Sequence, residues 1–295
     1  MNKIIAMIRN MFFALVAIGV FTTSCSNDDD NGSTTSELTL NLQGLEALGN
    51  DYVYEGWIIV NGNPVSTGTF SDVTSEQVFT VNSEMLSNAT RFVLSIEPAV
   101  DPDPAPADTK VLVGDFSGQS AALNSTIVAD FSSASGNYIL ATPTDDDMTN
   151  EFSGIWFLDN SSGSAATGLN LPVLSAGWQY EGWIVFDDGP VSTGTFIDPA
   201  MADDNAATSP YKGATGNGPG YPGEDYVMGS AGGVTFPTDL KGRTVVISVE
   251  PLPDDSPAPF ALKPLAHEIP AGAQDHMAIT MGVGPVVSVS GTATR

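Results

Sequence analysis

One stretch of this chain occurs twice, and that limits what the chain can fold into. Tyr54 to Phe70 reads YEGWIIVNGNPVSTGTF and Tyr180 to Phe196 reads YEGWIVFDDGPVSTGTF, aligned without a gap. A second block repeats as well: LSIEP at Leu94 to Pro98 and ISVEP at Ile247 to Pro251, each followed by an acidic, proline-rich run. The blocks stand farther apart in the second copy, so that copy carries an insertion, residues 198–233. Two units of this length are a tandem pair rather than a solenoid of short repeats.

The motif itself reads as β-structure. Tyr52 to Val60 and Val65 to Phe70 flank Asn61-Gly62-Asn63-Pro64, a hairpin signal in which Gly62 takes the positive φ of a tight turn. Asp187-Asp188-Gly189-Pro190 does the same work in the second copy. Trp57 and Ile59 face one way and Ile58 and Val60 the other, so both faces are apolar and the strand is central. Glu55 and Glu181 share the tryptophan face, where a carboxylate needs a hydroxyl or backbone N–H partner.

Elsewhere short apolar runs are broken by Gly, Pro, Asn and Asp, with strict alternation at Leu38 to Leu42. Further strands are expected at Val78 to Val81, Arg91 to Ile96, Lys110 to Phe116, Ser125 to Phe131 and Asn137 to Ala141. The second unit adds Gly154 to Leu158, Gly168 to Leu174, Gln179 to Phe186, Val191 to Ile197, Arg243 to Val249, Leu262 to Glu268, Met277 to Met281 and Pro285 to Val289. No segment has a sustained helical stripe with caps. The expected fold is all-β: two tandem Ig-like β-sandwich domains, residues 37–146 and 147–295, meeting at the turn-rich Pro143 to Asn150.

Residues 1–24 read as an export signal, with Lys3 and Arg9 ahead of an apolar stretch too short to span a bilayer as a mature segment. It ends in small residues before Cys25, the one cysteine in the chain, which excludes an intramolecular disulfide. That placement resembles a bacterial lipoprotein signal, in which the cysteine becomes the lipidated N-terminus. Residues 25–36 form an acidic tether whose serine-led Asp28-Asp29-Asp30 run resembles the surface-export signal of Bacteroidetes-type lipoproteins. The expected location is the outer membrane, facing outward. The chain has 35 Asp and Glu against 9 Lys and Arg, a field that repels phosphate backbones and excludes nucleic acid as a partner.

A Trp-bearing strand, then G-x-PVSTGTF, then a strand ending in Glu-Pro with an acidic Pro-rich loop, resembles the C-terminal domain of anti-sigma-K factors of the RskA type. The residues that carry this are Trp57, Pro64, Val65, Gly68, Phe70, Glu97 and Pro98. Their counterparts are Trp183, Pro190, Val191, Gly194, Phe196, Glu250 and Pro251. The resemblance implies a small β-rich extracytoplasmic domain rather than an activity. In that family the domain follows a cytoplasmic sigma-binding region and a membrane span. Neither is read in this chain, so no direct sigma-factor contact is expected.

Catalytic signals are sparse. Ser66 and Ser192 sit in identical contexts, but the first unit has no histidine to act as a base. His267 and His276, with Glu268 and Asp275, fit no zinc spacing. Asp101/Asp103, Asp203/Asp204 and Asp254/Asp255 are carboxylate pairs that calcium can use, without the regular loop spacing of a calcium site. No enzyme activity and no cofactor are expected. The insertion, with Tyr211, Tyr221, Glu224, Asp225 and Tyr226 among glycines, is the candidate binding loop. The expected partner is an envelope protein or glycan, with the membrane reached through the lipid.

Overall fold

A computed structural model of the chain describes residues 34–253 and 256–295. The export signal, Cys25, the acidic run 28–30 and the pair Asp254/Asp255 lie outside the described residues. The first sheet is built from β1 (Thr35–Gln43), β2 (Tyr52–Val60), β3 (Asn63–Phe70) and β4 (Gln77–Asn82), followed by the short helix α1 (Ser83–Asn88). It continues through β5 (Arg91–Pro98), β6 (Lys110–Ser117) and β7 (Ser120–Asn124). Next comes β8 (Ser135–Tyr138), and the second sheet uses β9 (Trp178–Phe186), β10 (Gly189–Phe196), β11 (Thr244–Pro251), β12 (Lys263–Glu268) and β13 (Gly282–Val286). The last strand is β14 (Ser290–Thr294). The fold is all-β, as the alternation of the sequence requires.

The two copies of the motif form the same hairpin in detail. In each, the register slips by one residue, between Gly56 and Trp57 and between Gly182 and Trp183, leaving Thr67 and Thr193 as bulged residues. The bulged hydroxyl explains the glycine opposite. A Cβ on Gly56 would stand 2.5 Å from Thr67 Oγ1, and one on Gly182 would stand 2.2 Å from Thr193 Oγ1. The tyrosine that opens each copy donates its hydroxyl to a carbonyl eight residues upstream, Tyr54 to Glu46 at 2.8 Å and Tyr180 to Pro172 at 2.6 Å. It also stacks on the closing phenylalanine, Phe70 or Phe196, with centroids 5.5 and 5.6 Å apart.

The strand order of the first sheet is β3-β2-β5-β6-β7-β14-β1-β4, all antiparallel. Its two ends approach each other, Phe70 of β3 lying 6.2 Å from Phe79 of β4 between ring centroids. Leu38, Leu40, Ile58, Phe92, Leu94 and Leu123 fill the space inside. The second sheet runs β10-β9-β11-β12-β13. The sheets do not follow the expected division at 146/147. β14, from the far end of the chain, pairs between β7 and β1, and buried residues of both repeats form one contiguous hydrophobic cluster. Thr34–Arg295 accordingly form one compact unit.

Three sequence expectations are corrected locally. Ser125 to Phe131 is not a strand; it is a turn-rich segment that drops Val128 and Phe131 into the core, at a spacing of three rather than two. A helix appears where none was expected: Asn82 caps α1 by accepting from Met85 N at 2.9 Å, and Leu86 is its one buried side chain. Arg295 then donates to the carbonyls of Leu86 and Ala89 at 2.7 and 2.8 Å, tying the chain's end to the helix C-terminus. The third correction is β14 itself, whose sequence SGTAT carries no apolar alternation.

A buried polar relay holds the loop after each Glu-Pro. Trp57 Nε1 donates to Ser95 Oγ at 2.8 Å, Ser95 donates to Glu97 Oε1, and the same oxygen accepts Ala107 N at 2.8 Å. In the second copy Trp183 donates to Ser248 Oγ at 2.7 Å and Glu250 Oε1 accepts Phe260 N at 2.9 Å. Both loops are thereby folded back over their tryptophans, which are 2% exposed. Burial raises the Glu97 carboxyl pKa, partly offset by Ser95 and Ala107 donating to it. Replacing Ser95 with alanine strands the Trp57 indole N–H in the interior and removes one of the two donors to Glu97 Oε1. A loss of about 1–3 kcal/mol is expected for Ser95→Ala, read as a lower urea midpoint with unchanged m-value.

Candidate functional site

The motif serines are structural partners of the motif glutamates. Ser66 Oγ donates to Glu55 Oε1 and Ser192 Oγ to Glu181 Oε1, the hydroxyl arrangement expected from the sequence. The two histidines are held apart by other partners. His267 Nδ1 lies 3.0 Å from the Tyr138 hydroxyl, and His276 Nε2 lies 3.2 Å from Glu151 Oε2. Asp101 and Asp103 accept backbone N–H groups two residues on, at 2.8 and 3.0 Å. Among the described residues no three His, Cys, Asp or Glu side chains converge as a metal site, and no helix is long and apolar enough to cross a membrane.

The insertion is not the exposed recognition loop that its composition suggested. Tyr226, Glu224 and Asp225 are 0%, 2% and 0% exposed, and Tyr211 and Tyr221 are half-buried. Tyr226 occupies the left-handed region at φ 48°, which turns its ring inward against Phe186, Phe236 and Tyr211. Its hydroxyl donates to the carbonyls of Val191 and Ser192 on β10 at 3.1 and 2.8 Å. Asp225 accepts Trp156 Nε1 at 2.8 Å and the Thr144 backbone N–H at 2.6 Å, so the insertion is fastened to the segment between the repeats. Glu224 accepts from Ser209 Oγ and from Asp225 N. Tyr221 reaches Ala165 O at 3.3 Å. Sequence pattern alone could not reveal this, because Gly-rich spacing hides which ring faces inward.

Where the insertion meets β10 it places a carboxyl group in an unusual setting. Asp203 is 6% exposed and accepts Gly223 N through Oδ2 at 2.8 Å, while neither its Oδ1 nor Asn205 Oδ1 finds a donor among the described residues. Both groups crowd the side-chain position left open by Gly194. Burial, with Glu224 and Asp204 nearby, pushes the Asp203 carboxyl up to about 7.

Two of the concave surfaces among the described residues adjoin the repeated motifs. The larger is a cleft of about 420 Å³ where the repeats meet, lined by Leu48, Tyr52, Ile96, Pro251, Pro259 and Phe260 and by the acidic Glu46, Asp51 and Glu250. Lys263 crosses from the second repeat to Glu46 at 2.9 Å, and Trp178 donates to Lys110 O at 3.3 Å. The smaller is a groove of about 360 Å³ beside β3, over the Glu55–Ser66 pair. Trp57 lines this groove, although both motif tryptophans are almost wholly buried.

Against known proteins, residues 31–111 match the family model described as "Anti-sigma-K factor rskA, C-terminal". The match covers β1 through β5 and the Pro-rich loop; the second copy of the motif lies outside it. No curated protein and no solved structure matches the chain.

The Asp203 environment makes a signed prediction. A carboxyl whose folded pKa lies above its unfolded value near 4 stabilises fully below that unfolded value, and the contribution is lost as pH rises to about 7. Asp203→Asn, which cannot ionise, is expected to match wild type at pH 4. At pH 8 it should be the more stable of the two, by on the order of 2–4 kcal/mol, measured by urea unfolding across that range.

Proposed function

We propose that this protein is an extracytoplasmic, non-enzymatic binding module, anchored by a lipid on Cys25 and displayed on the outer surface of the cell. The observation that carries the binding reading is the cleft between the repeats, of a size and apolarity that suit a small ligand or an extended chain. Its acidic lining favours a neutral or cationic occupant over an anionic one. The use of Ser66 and Ser192 as carboxylate donors, with both imidazoles engaged elsewhere, supports binding over nucleophilic chemistry. The family match supports the extracytoplasmic setting, and the sequence pattern around Cys25 supports the anchor.

The same match favours a second reading, an accessory or sensory domain of an envelope signalling system. Its mark is altered transcription of a stress regulon on gene deletion, with surface binding unchanged.

Location is the first test. The full chain is expressed in a Bacteroidetes host with a metabolic lipid label, and external protease is applied to intact cells. The label is expected on wild type and absent from Cys25→Ala, and the β-sheet unit is expected to be cleaved. Protection of that unit in cells that stay intact overturns outward display and moves the partner to the periplasm.

A further inference from the structure

The glycine of PVSTGTF faces different neighbours in the two repeats. A side chain on Gly68 would run into the ring of Phe79, whereas one on Gly194 would run into Asn205 Oδ1 and the Asp203 carboxyl group. The first copy closes this position with an apolar ring and the second closes it with polar groups. Asp203 Oδ1 and Asn205 Oδ1 are both shielded from solvent, and neither meets a donor among the described residues. Asp203 is 6% exposed, and its other oxygen is held by Gly223 N at 2.8 Å, so the carboxylate cannot turn out to water without losing that bond. Burial, together with the nearby Glu224 carboxylate, opposes the ionisation of Asp203, and Glu224 is itself 2% exposed. No lysine, arginine or histidine forms an ion pair with either acid among the described residues.

Two buried acceptors that converge on one point, with a second carboxylate behind them, call for an electropositive atom at that point. The available ligands are all oxygen, a carboxylate and a carboxamide two residues apart in sequence. Calcium takes such hard donors and tolerates the irregular geometry that a short loop offers. We propose that Asp203 Oδ1 and Asn205 Oδ1 hold a calcium ion over Gly194, with Glu224 supplying the second negative charge. The pair that binds is then Asp203 with Asn205 rather than with Asp204, which is exposed and accepts from Thr195 Oγ1 at 3.1 Å. The backbone already brings these parts together, since Asp204 N donates to Thr195 O at 2.9 Å and Asp203 reaches Gly223. The ion fixes that junction, tying both limbs of the insertion to β10. This site is separate from the cleft between the repeats and stands whether or not the cleft binds anything.

The test uses the full chain stripped with a chelator and calcium alone as the probe, followed by calorimetry and by the midpoint of thermal unfolding. Wild type is expected to take up one calcium per chain and to unfold at a higher temperature when loaded. Asp203→Asn is expected to weaken binding about tenfold or more. Should that variant fold poorly, Asn205→Ala, at a half-buried position, is expected to weaken binding severalfold. Asn205→Asp keeps the oxygen and adds charge, so it is expected to bind at least as tightly as wild type. Asp101→Asn with Asp103→Asn is expected to leave binding unchanged. Folded wild type that responds to acid and not to calcium overturns the proposal and puts a proton between the two groups. A loss of stability in Asn205→Asp that calcium does not restore also overturns it, because the Asn205 amide N–H is then what meets Asp203. So does affinity unchanged in a folded Asp203→Asn or Asn205→Ala variant, or lowered as much by the Asp101 and Asp103 changes, since the ion then sits on surface acids.

Discussion

A buried carboxylate that must be satisfied organises each half of this molecule. Glu97 and Glu250 are 1% and 0% exposed, at the end of a central strand. Ionised and alone, such a group would cost several kcal/mol. The chain answers by folding the loop that follows back over the strand, so that a backbone N–H reaches the carboxylate, while a serine joins it to the tryptophan in the first copy. One requirement thus positions the loop, covers the tryptophan and shapes the wall of the open cleft. The Glu-Pro signature is a statement about loop closure before it is a statement about any partner.

The sequence made the repeated hairpin legible because every level agreed. Alternation set the faces, Asn61-Gly62 set the turn with both residues at positive φ, and a glutamate on the tryptophan face called for a hydroxyl, which Ser66 supplies. Where levels were silent, the reading failed for identifiable reasons. Ser290–Thr294 is a strand because its neighbours need one, since only Ala293 among its residues is buried. The insertion looked like a tyrosine-bearing surface because composition does not report the one backbone angle, at Tyr226, that turns the ring inward. Asp203, read as half of a calcium-type pair, and Glu224 and Asp225, read as part of a binding loop, are interior, kept there by hydroxyls, an indole and backbone N–H groups.

The duplication also allows one half to interpret the other. The same seven residues form the edge of both sheets, and what differs is what lies against them. The insertion that covers β10 supplies the ring of Tyr226 to the second core and the carboxyl of Asp203 to its edge. Divergence between the copies shows in what lies beside this strand: the insertion at β10, and β4 from the far end of the sheet at β3. Deleting the insertion would therefore remove interior packing, not merely a surface feature.

The position of β14 bears on how the two copies hold together. Leu40 of β1 pairs with Ala293 of β14, and β14 pairs on its other side with β7. The eight-stranded sheet is therefore continuous only through a segment that follows the second copy of the motif. Without it, β1 and β4 would part from the β3-β2-β5-β6-β7 ladder. Damage downstream of the second copy is in this way felt first in the sheet that holds the first.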